Sequence, residues 1–243
     1  MRRALGDLLF PSADVEAMRP EEAIRWALDT YHPRAALASS FGAEDVVVLD
    51  MLLAARADAR IFTLDTGRLP EETYDVIRRI RDRYGVEIET HFPDRDSVEA
   101  LVRAKGPYSF RTSVADRREC CEIRKIAPLR RALDGLELWI TGLRREQSVT
   151  RTTIGRLEWD EAFGLLKLNP IADWSEARVW DYIRAHDLPY NALHDRGFAS
   201  IGCAPCTRAV FPGEDVRSGR WWWESPEAKE CGLHPYRRTG DLP

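Results

Sequence analysis

Short apolar runs alternate with longer amphipathic ones over the first 145 residues, and this alternation constrains the fold more than any other feature of the chain. AALASS (35–40), ARIFTLDT (59–66), VEIETHF (86–92) and ELWITGL (137–143) have the length and apolar content of buried strands. Between them lie VVVLDMLLAARA (46–57), DSVEALVRA (96–104) and the basic amphipathic stretch EIRKIAPLRRAL (122–133). Another helix is predicted from Pro70-Glu71-Glu72 to Tyr84. Proline presets φ in a first turn, acids suit the positive end of the helix dipole, and Gly85 suits a helix stop. Strands that alternate with helices of this length are joined by crossovers, which predicts an α/β fold: a mainly parallel open sheet flanked by helices. The 243 residues suffice for one such domain with a real core.

After about residue 145 the character changes. VTRTTIGRLEWDEAFGLLKLNPI is polar, β-leaning and turn-rich, and SEARVWDYIRAH (175–186) predicts a helix with Ser175 as N-cap. From about residue 207 the chain is rich in Gly, Pro, Arg and Trp, which predicts irregular structure and a mobile tail. The expected organisation is one α/β unit over 1–206 and a C-terminal segment over 207–243.

The 40 acidic and 36 basic side chains leave a net charge of −4, which argues against broad nucleic-acid binding. No apolar run approaches the roughly 18–20 residues needed to span a bilayer. The start, MRRALGDLLFPSADVE, is broken by Gly6 and Asp7 and lacks the apolar middle of a signal peptide, so a cytoplasmic location is expected. An odd set of five cysteines in such a chain argues against a disulfide framework and for metal binding or catalysis.

Four of those cysteines form two pairs. Cys120 and Cys121 are vicinal in RRECCEIRK (117–125); Cys203 and Cys206 form a Cys-x-x-Cys turn in GCAPCTR (202–208). Neighbours in sequence rarely bridge each other, because a disulfide needs suitably directed Cβ vectors. Four thiolates can hold tetrahedral zinc or an iron–sulfur cube. Zinc pairs usually have a spacer, whereas a 4Fe–4S cube spreads its iron corners so that adjacent residues can each take one. The spacing therefore favours a 4Fe–4S cluster over zinc, with a Cys203–Cys206 redox dithiol or plain buried thiols as further alternatives. Lys125 follows Cys121 by four residues, one helical turn, and would set an ammonium beside the thiolates or an anionic substrate.

Small and polar residues gather where the strands end. Ser39, Ser40 and Gly42 precede a helix and offer hydroxyls and free N–H groups to an anion, without the Gly-Lys-Ser/Thr end of a Walker loop. The second strand ends at Asp65, a candidate for a ribose or adenine contact or a helix cap, with the ligand role preferred. The fourth ends at Gly142, followed by Arg144 and Arg145. These two arginines and Arg151 can meet a phosphate with guanidinium forks. Ligands in open parallel sheets bind beyond the carboxyl ends of the strands, so the three endings together predict a nucleotide pocket.

Cys231, in ECGLH (230–234), has no cysteine nearby. In EDVRSGRWWWE (214–224), Arg217 and Arg220 can hold an anion and lower a thiol pKa, while Trp221, Trp222 and Trp223 read as packing residues. His234 is a weaker candidate for polarising the thiol. This setting points to Cys231 as a reactive nucleophile.

The combination SSFGAED (39–45), LDTGRLPEETY (64–74), CCEIRKIAPL (120–129), TGLRREQSVTR (141–151), GCAPCTR (202–208), GEDVRSGRWWWE (213–224) and ECGLH (230–234) resembles the assimilatory sulfonucleotide reductases. It resembles specifically their iron–sulfur branch, which reduces adenosine 5′-phosphosulfate (APS). The resemblance runs from about residue 35 to 234 and implies a PP-loop-type adenine nucleotide fold and a 4Fe–4S cluster on the four paired cysteines. It also implies that Cys231 attacks the sulfuryl sulfur to form a cysteine S-sulfonate. Thioredoxin or glutaredoxin would then release sulfite from this separate, extension-free chain. A homodimer or homotetramer is expected. The alternatives are a reductase of 3′-phosphoadenosine 5′-phosphosulfate (PAPS) or of both nucleotides, an RNA-thiolating enzyme with a related sheet, and an iron–sulfur redox sensor.

Overall fold

The computed structural model describes residues 12–147, 153–211 and 213–225. Six strands form one sheet: β1 (Ala35–Ala38), β2 (Arg60–Leu64), β3 (Glu89–His91), β4 (Leu138–Ile140), β5 (Leu157–Asp160) and β6 (Leu165–Leu168), in the order β3-β2-β1-β4-β6-β5. All neighbouring pairs are parallel except β5–β6, which is antiparallel. The helices are α1 (Ser12–Ala17), α2 (Pro20–Tyr31), α3 (Ala43–Ala55), α4 (Glu71–Tyr84), α5 (Arg95–Lys105), α6 (Val114–Cys121), α7 (Ala127–Leu133) and α8 (Glu176–Ala185).

Alternation along the strands covers both faces of the sheet. Ala35, Leu37, Ile61, Leu138 and Ile140 join α2, α3 and α8 in the larger core. Ala36, Phe62 and Trp139, one residue out of phase, pack on Leu129, Ala132 and Leu133 of α7. The apolar character of α3 all round its circumference follows from its burial: Val46, Val47, Val48, Leu49 and Leu52 are all fully enclosed.

The expected boundaries hold where a side chain or glycine ends an element. Ser175 Oγ accepts the Arg178 N–H, and Gly85 takes the left-handed conformation at the end of α4. They shrink where the ladder has only one partner. The third strand is an edge strand and keeps three residues of the seven expected. The β-leaning stretch after 145 becomes the β5–β6 hairpin, and α1, α2 and α6 are additional helices. Among the described residues no helix is long and apolar enough to cross a membrane.

The basic stretch 122–133 is not one regular α-helix. Residues Glu122–Ile126 form a π-helical turn, with the Ala127 N–H donating to the Glu122 carbonyl. Pro128 gives the reason: it has no N–H and its ring crowds the carbonyl four residues back, so the regular pattern cannot continue through it. The wider turn places Lys125 off the regular one-turn spacing from Cys121.

Residues 207–225 were expected to begin the mobile segment, but they are tied to the body. Thr207 bridges Arg220, the Trp221 N–H donates to the Cys206 carbonyl at 3.1 Å, and Trp221 is buried. The indole finds a cavity against the cysteine pairs that outweighs the loss of chain entropy.

Candidate functional site

The chain runs outward from β1 to β2 and β3, then returns to β4 on the other side of β1, so the carboxyl ends of β1 and β4 flank a topological switch point. A cavity of about 260 Å³ opens there. Its wall includes Ser39, Ser40, Gly42, Thr66, Lys125, Gly142, Arg144, Arg217 and Arg220.

The first strand leaves the sheet through a strained turn. Phe41, fully buried, has φ +58°, a conformation uncommon for a bulky residue. The Phe41 N–H donates to Ser39 Oγ at 3.1 Å, and the Ser40 N–H and hydroxyl donate to Asp45 Oδ2 at 2.6 and 2.7 Å. Burial pushes the Asp45 carboxyl up to about 6, against the opposing pull of the Ser40 hydrogen bonds. Gly142 lies against this turn: a Cβ there would run into the Asp45 carboxylate and come within 3.1 Å of its backbone nitrogen.

Not every expected residue faces the cavity with a free hand. Arg144 lines it, but its Nε and Nη2 donate to Glu44 Oε1 at 3.0 and 2.8 Å and its Nη1 to the Trp174 carbonyl. Arg145 turns away, donating to the Ile154 carbonyl and pairing with Glu16 on α1. Asp65 is absent from the cavity wall. Its carboxylate accepts the Gly67 N–H at 2.8 Å and the Tyr74 hydroxyl, closing the β2–α4 turn. Arg151, Cys231 and His234 lie outside the described residues.

The four paired cysteines come together from distant parts of the chain. Cys120, Cys121, Cys203 and Cys206 are 7–9% exposed, carry free thiols, and line one small cavity of about 20 Å³. Arg68, Phe110, Arg117, Arg124, Lys125, Arg220 and Trp221 complete its wall. Among the described residues no group of three or more His, Cys, Asp or Glu is set to hold a metal ion. Thr66 Oγ1 lies 3.2 Å from Cys203 Sγ, and Arg124 donates to the Thr66 carbonyl at 2.6 Å. Gly202 makes room for Arg220, whose guanidinium occupies the space a Cβ would take.

The thiols differ. Burial pushes Cys203 up, but Lys125, the Thr66 hydroxyl, Arg220 and Arg68 outweigh it and leave the thiol below its ordinary value. Burial and the neighbouring Cys203 charge push Cys206 up to about 12. Burial also raises Cys120. The side chains thus offset one thiolate and not the next. Four soft sulfur donors on one small cavity are a donor set that suits an iron–sulfur cluster.

Sequence reasoning missed Asp45, Thr66, Arg68, Arg117, Arg124 and Glu224. All six stand inside motifs already singled out; apart from Asp45, whose partner Ser40 is close by, their partners lie far away in sequence, so no local signal assigns their contacts.

Residues 34–209 match the family model described as the phosphoadenosine phosphosulfate reductase domain. A curated relative from Allochromatium vinosum, named adenosine 5′-phosphosulfate reductase, is 55% identical over 197 residues, which cover 81% of this chain and 77% of the relative. The crystal structure of a phosphoadenylyl-sulfate reductase from Candida auris superposes with a TM-score of 0.73 at 25% identity, covering 86% of this chain and 99% of that one. The FMN adenylyltransferase of Candida glabrata shares the fold alone, with a TM-score of 0.56 at 13% identity over 98% of this chain and 83% of its own. A mainly parallel sheet with a cavity at its switch point, four gathered cysteines and these likenesses agree: the chain belongs to the sulfonucleotide reductase family, among its adenosine 5′-phosphosulfate reductases.

Proposed function

We propose that this chain reduces APS to sulfite and AMP in assimilatory sulfate reduction. Cys120, Cys121, Cys203 and Cys206 would hold a 4Fe–4S cluster, and Cys231 would act as nucleophile. One observation carries the reading. Lys125, Cys203, Arg220 and Trp221 line both the large cavity and the four-cysteine cavity, so a nucleotide in the first lies one side chain from a cluster in the second.

In this reading Ser39, Ser40, the first N–H groups of α3 and the Gly142 edge receive the nucleotide, while Lys125, Arg217 and Arg220 offset the charge of the phosphosulfate. That offset matters because an incoming thiolate is repelled by an uncompensated sulfate. The Cys231 thiolate attacks the sulfuryl sulfur. A sulfur–sulfur bond forms, the bond from sulfur to the bridging oxygen breaks, and AMP leaves with the electron pair. A thiolate of a dithiol protein, thioredoxin or glutaredoxin, then attacks Cys231 Sγ. Sulfite departs with the pair, and the reductant's second thiol resolves the mixed disulfide. Both electrons come from the dithiol. The cluster, when bound, supplies a fixed charge centre that organises the wall between the two cavities.

The same reading assigns the cluster residues and most binding residues to the 1–206 unit, and Arg217, Arg220 and the Cys231 thiol to the segment from 207. It places the reaction in the cytoplasm and expects a homo-oligomer. The likeness to the Candida auris protein favours a second reading, reduction of PAPS or of both nucleotides.

The test is sulfite release by anaerobically purified, iron-containing protein with thioredoxin and either nucleotide. Faster turnover of APS is expected; equal or faster turnover of PAPS would establish the second reading. Gly142→Ala is expected to weaken AMP binding by about tenfold, since the added methyl must displace the Asp45 turn. Calorimetric titration of AMP checks this, and unchanged affinity would remove the turn from the site.

A further inference from the structure

The turn that carries Arg217 and Arg220 into the wall of the large cavity is held by an ion pair whose two members do not line that cavity. Arg117, on α6, gives Nε and Nη2 to the two carboxylate oxygens of Glu224 at 3.0 and 2.8 Å. Both side chains are almost wholly enclosed, at 1% and 3% exposure. The Arg117 guanidinium lies over the Trp221 ring at 4.6 Å, and that of Arg220 over the same ring at 4.8 Å. Trp221 itself has φ +42°, in the left-handed region, where a bulky side chain stays only if its surroundings impose it. The Glu224 N–H closes the turn on the Trp221 carbonyl at 2.8 Å.

Two buried charges lose their hydration, and an apolar pair of equal volume would fill the same space at less cost. A bidentate guanidinium–carboxylate pair does something an apolar pair does not: it fixes one mutual orientation. The start of the turn has its own ties, through the Thr207–Arg220 bridge and the Trp221 N–H on Cys206. Its end is fixed by Glu224. With the pair broken, Arg220 keeps its bridge to Thr207 and Trp221 its N–H bond to Cys206, but the end of the turn loses its bidentate anchor and the left-handed Trp221 is held from one side only.

We propose that Arg117 and Glu224 are a positioning pair that locks the 217–224 turn in the geometry presenting Arg217 and Arg220 to the anionic groups of the nucleotide. The inference rests on the nucleotide reading of the large cavity. It makes α6 a shared support: its end carries Cys120 and Cys121, and one turn earlier it orients the anion-binding arginines.

The experiment compares parent holoenzyme with Glu224→Gln, using AMP and uncharged adenosine as probes and iron content and the visible spectrum as controls. Glu224→Gln is expected to keep its iron and spectrum, bind adenosine as the parent does, and bind AMP about tenfold more weakly. KM for APS should rise by a similar factor. If Glu224→Gln does not fold, Glu224→Asp, which keeps the charge on a shorter arm, is expected to show a smaller shift of the same kind. Unchanged AMP affinity would overturn the positioning role. Equal loss for AMP and adenosine together with loss of iron would also overturn it, as a merely structural effect. Failure of the parent itself to bind AMP would sink the nucleotide reading instead, and with it the premise of this one.

Discussion

Replacing Cys231 by Ser will leave a folded, iron-containing protein that releases essentially no sulfite. A serine hydroxyl is scarcely ionised near neutral pH, and an O-sulfonate could not be released by thiol exchange, which needs a sulfur to attack. Both half-reactions fail together, so turnover should fall by about 10³-fold or more. Incubation of the parent with APS and no reductant should add the mass of SO₃ to the peptide containing Cys231, with AMP released in equal amount. Cys231→Ser should show neither. Retained turnover in that variant, or the adduct on another peptide, removes Cys231 from the mechanism.

Lys125→Met is expected to cost about 10²–10³ in kcat/KM while leaving the iron in place. The lysine lines both cavities and, after burial, leads the influences on Cys203. It sits on the π-helical turn, so its ammonium can serve the space between thiolates and substrate. Methionine keeps most of its length and removes the charge. The loss should appear in kcat more than in AMP affinity if the lysine acts mainly on the charge that develops as the thiolate approaches the sulfuryl group. Lys125→Arg should recover part of the rate, because charge returns in a different shape. A variant with parental kcat/KM would show that the shared wall is not used in the reaction.

Much of this was legible without coordinates. The period of the apolar residues fixes which segments become strands and helices, because burial of one face is a local demand that side-chain spacing satisfies. That is why β1, β2 and β4, α4, α5 and α8 stand close to their expected places, and why Ser39, Ser40, Gly42 and Gly142 could be placed together at the carboxyl edge of the sheet, where they line one cavity. The two cysteine pairs announced themselves by spacing. The partners of Arg145 and Asp65 were not legible, since an arginine or aspartate at a strand end takes whichever partner packs nearest: Glu16 and Ile154 for one, Tyr74 and Gly67 for the other.

The sequence by itself determined the alternating elements, the parallel sheet they require and the chemical kinds of residue at its carboxyl edge. The tertiary structure alone decided which of those residues share a wall. Thr66 meets Cys203, Arg144 meets Glu44, and Arg117 meets Glu224 across 137, 100 and 107 residues of chain. Such contacts are set by crossover connections and by the competition of buried polar groups for partners, which no local pattern encodes.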